Sequence, residues 1–249
     1  AAEACKDADI VITMLPAGQH VREIYLDAIL PNAPKDALLI DCSTIDVDSA
    51  RTVARDASMQ GFRTADAPVS GGTAAATGGT LTFMVGCREQ DFAEVEEALK
   101  PMAKAIIRAG DSGTGQAAKI CNNMLLGISM IATSEAFALA EALGVDAQKF
   151  FDISSKASGQ CWSMTSYCPW PGPVPAAPSN RDYEGGFAAA MMLKDLKLAQ
   201  DAADTVGAPT PLGGAAEALY AELVRGGYAN RDFSIILQML RGTLQLNRE

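Results

Sequence analysis

A chain of 249 residues, 49% of them apolar, can bury two modest cores, and two domains are expected. The formal net charge of −10 argues against nucleic acid or an anionic membrane surface as the main partner and for a small molecule. The only histidine is His20, which excludes a metal site of several imidazoles, and a Ser/His triad as well unless His20 serves in it. Residues 1–9 read as the tail of a helix running into a strand, without initiating methionine or targeting signal, as if the chain began inside a domain.

From residue 10 to residue 109 short apolar runs alternate with amphipathic segments, the pattern of β/α structure. Strands are predicted at 10–15, 37–42, 62–67, 81–85 and 105–107, and helices at 18–29, 47–60 and 91–102. Runs such as VITML and ALLI are apolar throughout, as strands buried on both faces must be, so a doubly wound parallel sheet is expected. Ligands of such sheets sit beyond the carboxyl ends of the strands, which puts weight on Leu15 and Pro16, on Ser43 and Thr44, and on the segment 68–72. Gly71 and Gly72 free the backbone to present N–H groups and Ser70 adds a hydroxyl, a combination suited either to an anion nest or to a plain turn. No G-x-G-x-x-G occurs between residues 1 and 112, and the glycine-rich run 71–86 is expected to pass into a strand without offering a helix N-terminus. The chain therefore reads either as something other than a dinucleotide enzyme or as one without its first β-α-β unit.

The stretch 113–144, GTGQAAKICNNMLLGISMIATSEAFALAEALG, reads as one helix of roughly 28 residues and 40 Å, with oxygen acceptors before it and Gly144 as its stop. It is apolar on nearly every face after Asn123, so protein must wrap it. Asn122, Asn123, Ser129, Thr133, Ser134 and Glu135 interrupt it, and on that ground no run is read as both long and lipid-like enough to span a membrane. Lys119 and Asn123 stand four apart on one face, with Gln116 a turn earlier. A lysine in the second turn, near the positive end of the helix dipole and partly desolvated, is expected to have a lowered pKa, as a proton carrier near neutral pH requires; the competing reading is a snorkelling side chain. Further helices are predicted at 147–155, 186–206, 212–226 and 232–246, around a proline-rich excursion at 167–186 that is read as an ordered, functional loop. Lys194 and Asp195 read as a surface ion cluster. The six cysteines, without a C-x-x-C pair, read as free thiols of a reducing compartment.

Nine segments together resemble the β-hydroxyacid dehydrogenase family: MLP at 14–16, STI at 43–45, DAPVSGG at 66–72, GTLTFMVG at 79–86, GTGQAAKICNNMLL at 113–126, PWPG at 169–172, YEGGF at 183–187, KDLKLA at 194–199 and GYANRDFS at 227–234. The resemblance covers essentially the whole chain, and the PWPG and GYANRDFS segments point to its 3-hydroxyisobutyrate branch. It implies an incomplete Rossmann-type NAD-binding domain over 1–112 and an all-helical domain over 113–249 that begins with the long connecting helix. It further implies Lys119 as catalytic acid/base, Ser70, Gly71 and Gly72 on the substrate carboxylate, Asn123 near the reacting hydroxyl, and Leu15, Pro16, Thr44, Lys194 and, weakly, His20 at NAD. No metal is needed. The implied reaction oxidises 3-hydroxyisobutyrate to methylmalonate semialdehyde, as in valine degradation, in the mitochondrial matrix of a eukaryote or the cytoplasm of a bacterium. The alternatives are reduction of tartronate semialdehyde or a related short acid, and a catalytically silent module that only assembles. The acidic or basic residue that would choose NAD over NADP belongs to the unit not seen here, so NAD is implied by resemblance alone. The apolar connecting helix, longer than its own half of the chain can cover, predicts a homo-oligomer, dimer or tetramer.

Overall fold

The computed structural model describes residues 1–245, which form two compact units, Ala1–Cys121 and a second beginning at Asn122. In the first, α1 (Ala2–Cys5) leads to β1 (Ile10–Thr13), and α2 (Gly18–Ile24) continues through a π-helical turn (Tyr25–Ile29) into α3 (Leu30–Asn32). Then come β2 (Leu38–Asp41), α4 (Val47–Met59), β3 (Arg63–Asp66), β4 (Val69–Ser70), α5 (Gly72–Thr77), β5 (Leu81–Gly86), α6 (Phe92–Leu99) and β6 (Ala103–Gly110). Helix α7 (Thr114–Ala142) carries the chain into the second unit, with α8 (Ala147–Ser154), α9 (Trp162–Thr165), α10 (Ala189–Val206), α11 (Pro211–Leu223) and α12 (Ile236–Leu240).

β1, β2 and β3 are parallel, in the order β1-β2-β3. Leu38, Leu39, Ile40 and Asp41 are all buried, the solution the apolar run required, since a central strand covered on both faces leaves no side for water. The remainder departs from the all-parallel expectation: β5 runs antiparallel to β3 and β4 and parallel to β6, so the sheet is mixed. Two clusters fill the space around it. One joins Val21, Tyr25 and Ile29 to Ala50, Val53, Ala57 and Phe62 under α4, and the other joins Leu38, Ile40, Phe83, Val85, Val95 and Leu99. Each fully buried aliphatic or aromatic side chain of this kind contributes about 1.5–3 kcal/mol by leaving water.

In the second unit α7 lays Met130 and Ile131 against Met192 and Leu196 of α10 and Tyr220 of α11. Gly127 permits this approach, because a Cβ there would come within 3.1 Å of the Met192 sulfur. α7 ends as its sequence suggests, with Gly144 at φ +81° and the Val145 N–H returning to the Ala140 carbonyl, the left-handed cap that only glycine adopts without strain. Contrary to the sequence expectation, α7 is long and apolar enough to cross a membrane by length and composition, with mean hydropathy 1.4 over its most apolar window. The hydroxyls of Thr133 and Ser134 are nevertheless buried within this unit, Thr133 donating to the Ser129 carbonyl, and its apolar faces meet other helices. Leu125, Leu139 and Leu143 remain exposed. The helix predicted at 232–246 is shorter than expected: a 3-10 turn (Phe233–Ile235) and α12 end before Gly242, whose φ of +70° breaks the helical path, and Leu246 lies outside the described residues.

Candidate active site

The registers of the three parallel strands end in one row, Thr13 opposite Asp41 and Asp41 opposite Asp66, so the segments that follow them leave the sheet along one rim. Buried side chains tie that rim together. Asp41 Oδ1 accepts from Thr13 Oγ1 at 2.7 Å and from Ser43 Oγ at 2.6 Å, while Ser43 Oγ accepts from the Leu15 N–H at 2.8 Å. Asp41 thereby fixes the backbone at Leu15 beside the loop that carries Thr44. Leu15 and Thr44 are half-buried there and Pro16 is exposed; His20 is exposed on α2. Burial raises the Asp41 carboxyl above the ordinary carboxylate range, against the pull of its Ser43 and Thr13 hydrogen bonds.

Ser70, Gly71 and Gly72 fall where β4 ends. Gly71 has φ +134°, and a Cβ on it would collide with the Ala75 side chain, so glycine is obligatory at this bend. Here the expectation of a run straight into a strand is corrected: Gly72–Thr77 is a short helix before β5. The TAAAT segment between the glycines favours a helical turn, and its alanines carry no side chain to oppose one.

The start of α7 is locked onto the same rim. Asp66 accepts from the Gly113 N–H at 2.6 Å and the Gln116 N–H at 2.9 Å, a carboxylate capping two of the helix's first donors from another element. Gly115 allows the closeness, since a Cβ there would strike the Met84 carbonyl and the Asp66 carboxylate. Burial pushes the Asp66 pKa up to about 6, outweighing the two backbone bonds that lower it. Gln116 spans the gap to the Thr44 loop: its Oε1 accepts from the Ile45 N–H at 3.1 Å and its Nε2 donates to the Ser43 carbonyl at 2.7 Å. The position of Lys119, one turn further on and only 7% exposed, is thus tied to the rim that carries Leu15 and Thr44, while Ser70 lies on β4 opposite Thr82 of β5.

On the same face of α7, one turn beyond Lys119, Asn123 is buried and its amide is held at both ends. It donates to Asp195 Oδ2 at 2.5 Å and accepts from Asn122 Nδ2 at 3.0 Å. Asp195 also lies 3.4 Å from the Lys194 ammonium. The surface-cluster reading of Lys194 and Asp195 is therefore corrected: Asp195 is 2% exposed and belongs to the buried stripe Met192, Asp195, Leu196, Ala199, Ala203. An acid at an apolar position of a helical period was the signal that could have found it.

The proline-rich excursion is ordered by the segment 227–234. Asp232 accepts from Tyr167 Oη at 2.7 Å, from the Phe187 N–H at 2.8 Å and from the Ser234 hydroxyl at 2.5 Å, and its own N–H donates to the Tyr183 carbonyl. Gly186, at φ +72°, leaves room for this carboxylate. Trp170 stacks on Phe137 of α7, and the Arg241 guanidinium lies 4.5 Å from its ring centre. Both family-marking segments so act on the scaffold of the helical unit. Among the described residues no three His, Cys, Asp or Glu side chains converge on one point.

Comparison with known proteins bears on this arrangement. Residues 1–110 match the family described as the NAD binding domain of 6-phosphogluconate dehydrogenase, and residues 113–240 the one described as NAD-binding of NADP-dependent 3-hydroxyisobutyrate dehydrogenase. The chain is 45% identical to an NAD-dependent L-serine dehydrogenase of Pseudomonas aeruginosa over 98% of its own length and 82% of the relative's. It is 45% identical to the mitochondrial 3-hydroxyisobutyrate dehydrogenase of Mus musculus, covering 96% and 72%. A solved structure of Mycobacterium tuberculosis 3-hydroxyisobutyrate dehydrogenase with L-serine superimposes with a TM-score of 0.92 at 48% identity, covering 96% of this chain and 82% of that one.

Proposed function

The chain belongs to the 3-hydroxyisobutyrate dehydrogenase family of NAD-binding oxidoreductases, and from that premise we propose that it oxidises 3-hydroxyisobutyrate to methylmalonate semialdehyde with Lys119 as acid/base. The observation that carries the reading is the buried Lys119 on a helix whose N-terminus Asp66 and Gln116 bind to the strand-end rim. Bound NAD supplies the hydride acceptor. Lys119 as the free amine takes the hydroxyl proton as the carbinol carbon gives up its hydride, and in reduction its ammonium polarises the carbonyl. Ser70 and the backbone of Gly71 and Gly72 hold the substrate carboxylate, and Asn123, oriented by Asp195, stands by the reacting hydroxyl. Leu15, Pro16 and Thr44 line the cofactor, with Lys194 a cofactor contact and His20 a weak one.

L-Serine is the second reading, favoured by the P. aeruginosa relative's name and the serine in the M. tuberculosis structure. Both substrates present a primary alcohol two carbons from a carboxylate and differ in a methyl against an ammonium group, so discrimination rests on whether that position is apolar or anionic. kcat/KM on 3-hydroxyisobutyrate, L-serine, glycerate and tartronate semialdehyde tests the assignment; a clear lead for any of the others overturns it. The exposed leucines of α7 support a homo-oligomer that covers them, and a sedimentation profile of monomer alone at micromolar concentration removes that claim. The reaction belongs in the mitochondrial matrix if the source is eukaryotic and in the cytoplasm if it is bacterial.

A further inference from the structure

A cavity of about 270 Å³ opens beside α4 in the first unit, and its wall is unusual for so acidic a chain. Three arginines, Arg51, Arg55 and Arg88, line it together with the hydroxyl residues Ser58, Thr64 and Ser112, and no acidic residue is among its lining residues. None of these residues is a candidate for the NAD or hydroxyacid site. Arg55 and Arg88 each have an acidic neighbour, Asp56 at 3.1 Å and Asp91 at 2.7 Å. Arg51 makes no hydrogen bond or ion pair among the described residues. Its stem is nonetheless placed, because it packs over Gly113, where a Cβ would come within 2.7 Å of Arg51 Cγ and φ is +87°.

Asp56 and Asp91 partly neutralise Arg55 and Arg88 while nothing offsets Arg51, so the concavity keeps an excess of positive charge that a bound anion would balance. The donor set narrows the anion's chemistry. A single carboxylate has about four acceptor positions, fewer than three guanidinium forks and three hydroxyls supply, whereas the terminal oxygens of a phosphate accept several forked donors at once. The volume lies just below the roughly 300 Å³ at which ligand pockets begin, room for a phosphate on a short carbon chain and too little for a dinucleotide. We infer that the cavity formed by Arg51, Arg55 and Arg88 is a binding site for a small phosphate monoester, separate from the proposed NAD and hydroxyacid sites.

Isothermal titration with sn-glycerol 3-phosphate and with inorganic phosphate, at constant ionic strength and with or without saturating NAD, tests this directly. Saturable binding of one equivalent of glycerol 3-phosphate that NAD leaves unchanged is expected. Arg51→Gln should weaken it at least tenfold, the loss of a charge-assisted forked contact, and Arg51→Lys, which keeps the charge and loses the fork, by a smaller factor. Arg51→Gln/Arg55→Gln should abolish it. Both positions are exposed, and the Asp56 partner of Arg55 is itself partly exposed, so the ligand-free melting temperature should stay at the wild-type value and report that the fold is intact. Absence of saturable binding, binding retained by the double variant, or displacement by NAD overturns the inference. Because the probes and variants leave turnover untouched, failure here does not bear on the dehydrogenase reading.

Discussion

Asp66→Asn changes one oxygen to an amide at the point where the long helix meets the sheet. In the native protein the two carboxylate oxygens accept from the Gly113 and Gln116 N–H groups in a site that is 6% exposed. Burial raises the pKa of Asp66 from 3.8 to about 6, so between those values the folded chain binds more protons at this position than the unfolded one. Wild-type stability from this group is therefore greatest at low pH and falls as pH rises through the window, by on the order of 3 kcal/mol in all. The asparagine variant has no such ionisation. Its own cost is a buried N–H left facing an amide NH₂, about 1–3 kcal/mol, and this does not vary with pH. Urea unfolding of both proteins at pH 4, 5, 6 and 7 isolates the effect, since Asp41, Asp232 and every other titrating group is common to both. The stability of wild type minus variant should decline steadily from pH 4 to pH 7. A difference that grows with pH refutes the reasoning, for it means that the helix dipole and the two hydrogen bonds outweigh desolvation and hold Asp66 below its ordinary pKa.

Asp195→Ala removes the acceptor that orients Asn123 and should lower kcat/KM by roughly 10- to 100-fold with NAD affinity unchanged, measured by steady-state kinetics beside direct cofactor titration. Gly186→Ala places a Cβ against the Asp232 carboxylate and the Tyr167 hydroxyl at φ +72°, and a loss of about 3 kcal/mol is expected in chemical unfolding; a loss below 1 kcal/mol would show that the loop relaxes freely. Arg241→Ala deletes a two-pronged contact to Glu141 at 2.8 and 2.5 Å and the cover on Trp170, both at a partly exposed site, so only about 1 kcal/mol should be lost in the same assay.

What the amino-acid order made legible was local. Continuous burial of β2 and the span of α7 with its glycine stop each follow from residues close to one another in the chain. Strand direction is not local: LTFMVG reads the same whichever way it runs, and only its partners make β5 antiparallel to β3. The rim itself was placed from strand ends alone, yet what stiffens it joins residues far apart, Asp66 with Gln116 and Gln116 with Ser43, and within the second unit Asp195 holds Asn123 in the same long-range way. No pattern at helical or strand period announces such pairs. Lys194 and Asp195 were misjudged for that reason, because adjacent opposite charges resemble a solvated ion pair until the buried stripe through Met192 and Leu196 is followed.

Lys119 carries the central claim, and its replacement tests it most directly. Lys119→Ala should lower kcat for 3-hydroxyisobutyrate by about 10²- to 10⁴-fold while NAD binds as before, because a positioned proton carrier is lost from the transition state. Lys119→Arg should be nearly as damaging, since a guanidinium does not release its proton near neutral pH. If Lys119→Ala instead turns over at close to the wild-type rate and loses affinity for NAD, Lys119 is a cofactor anchor and the acid/base assignment is wrong.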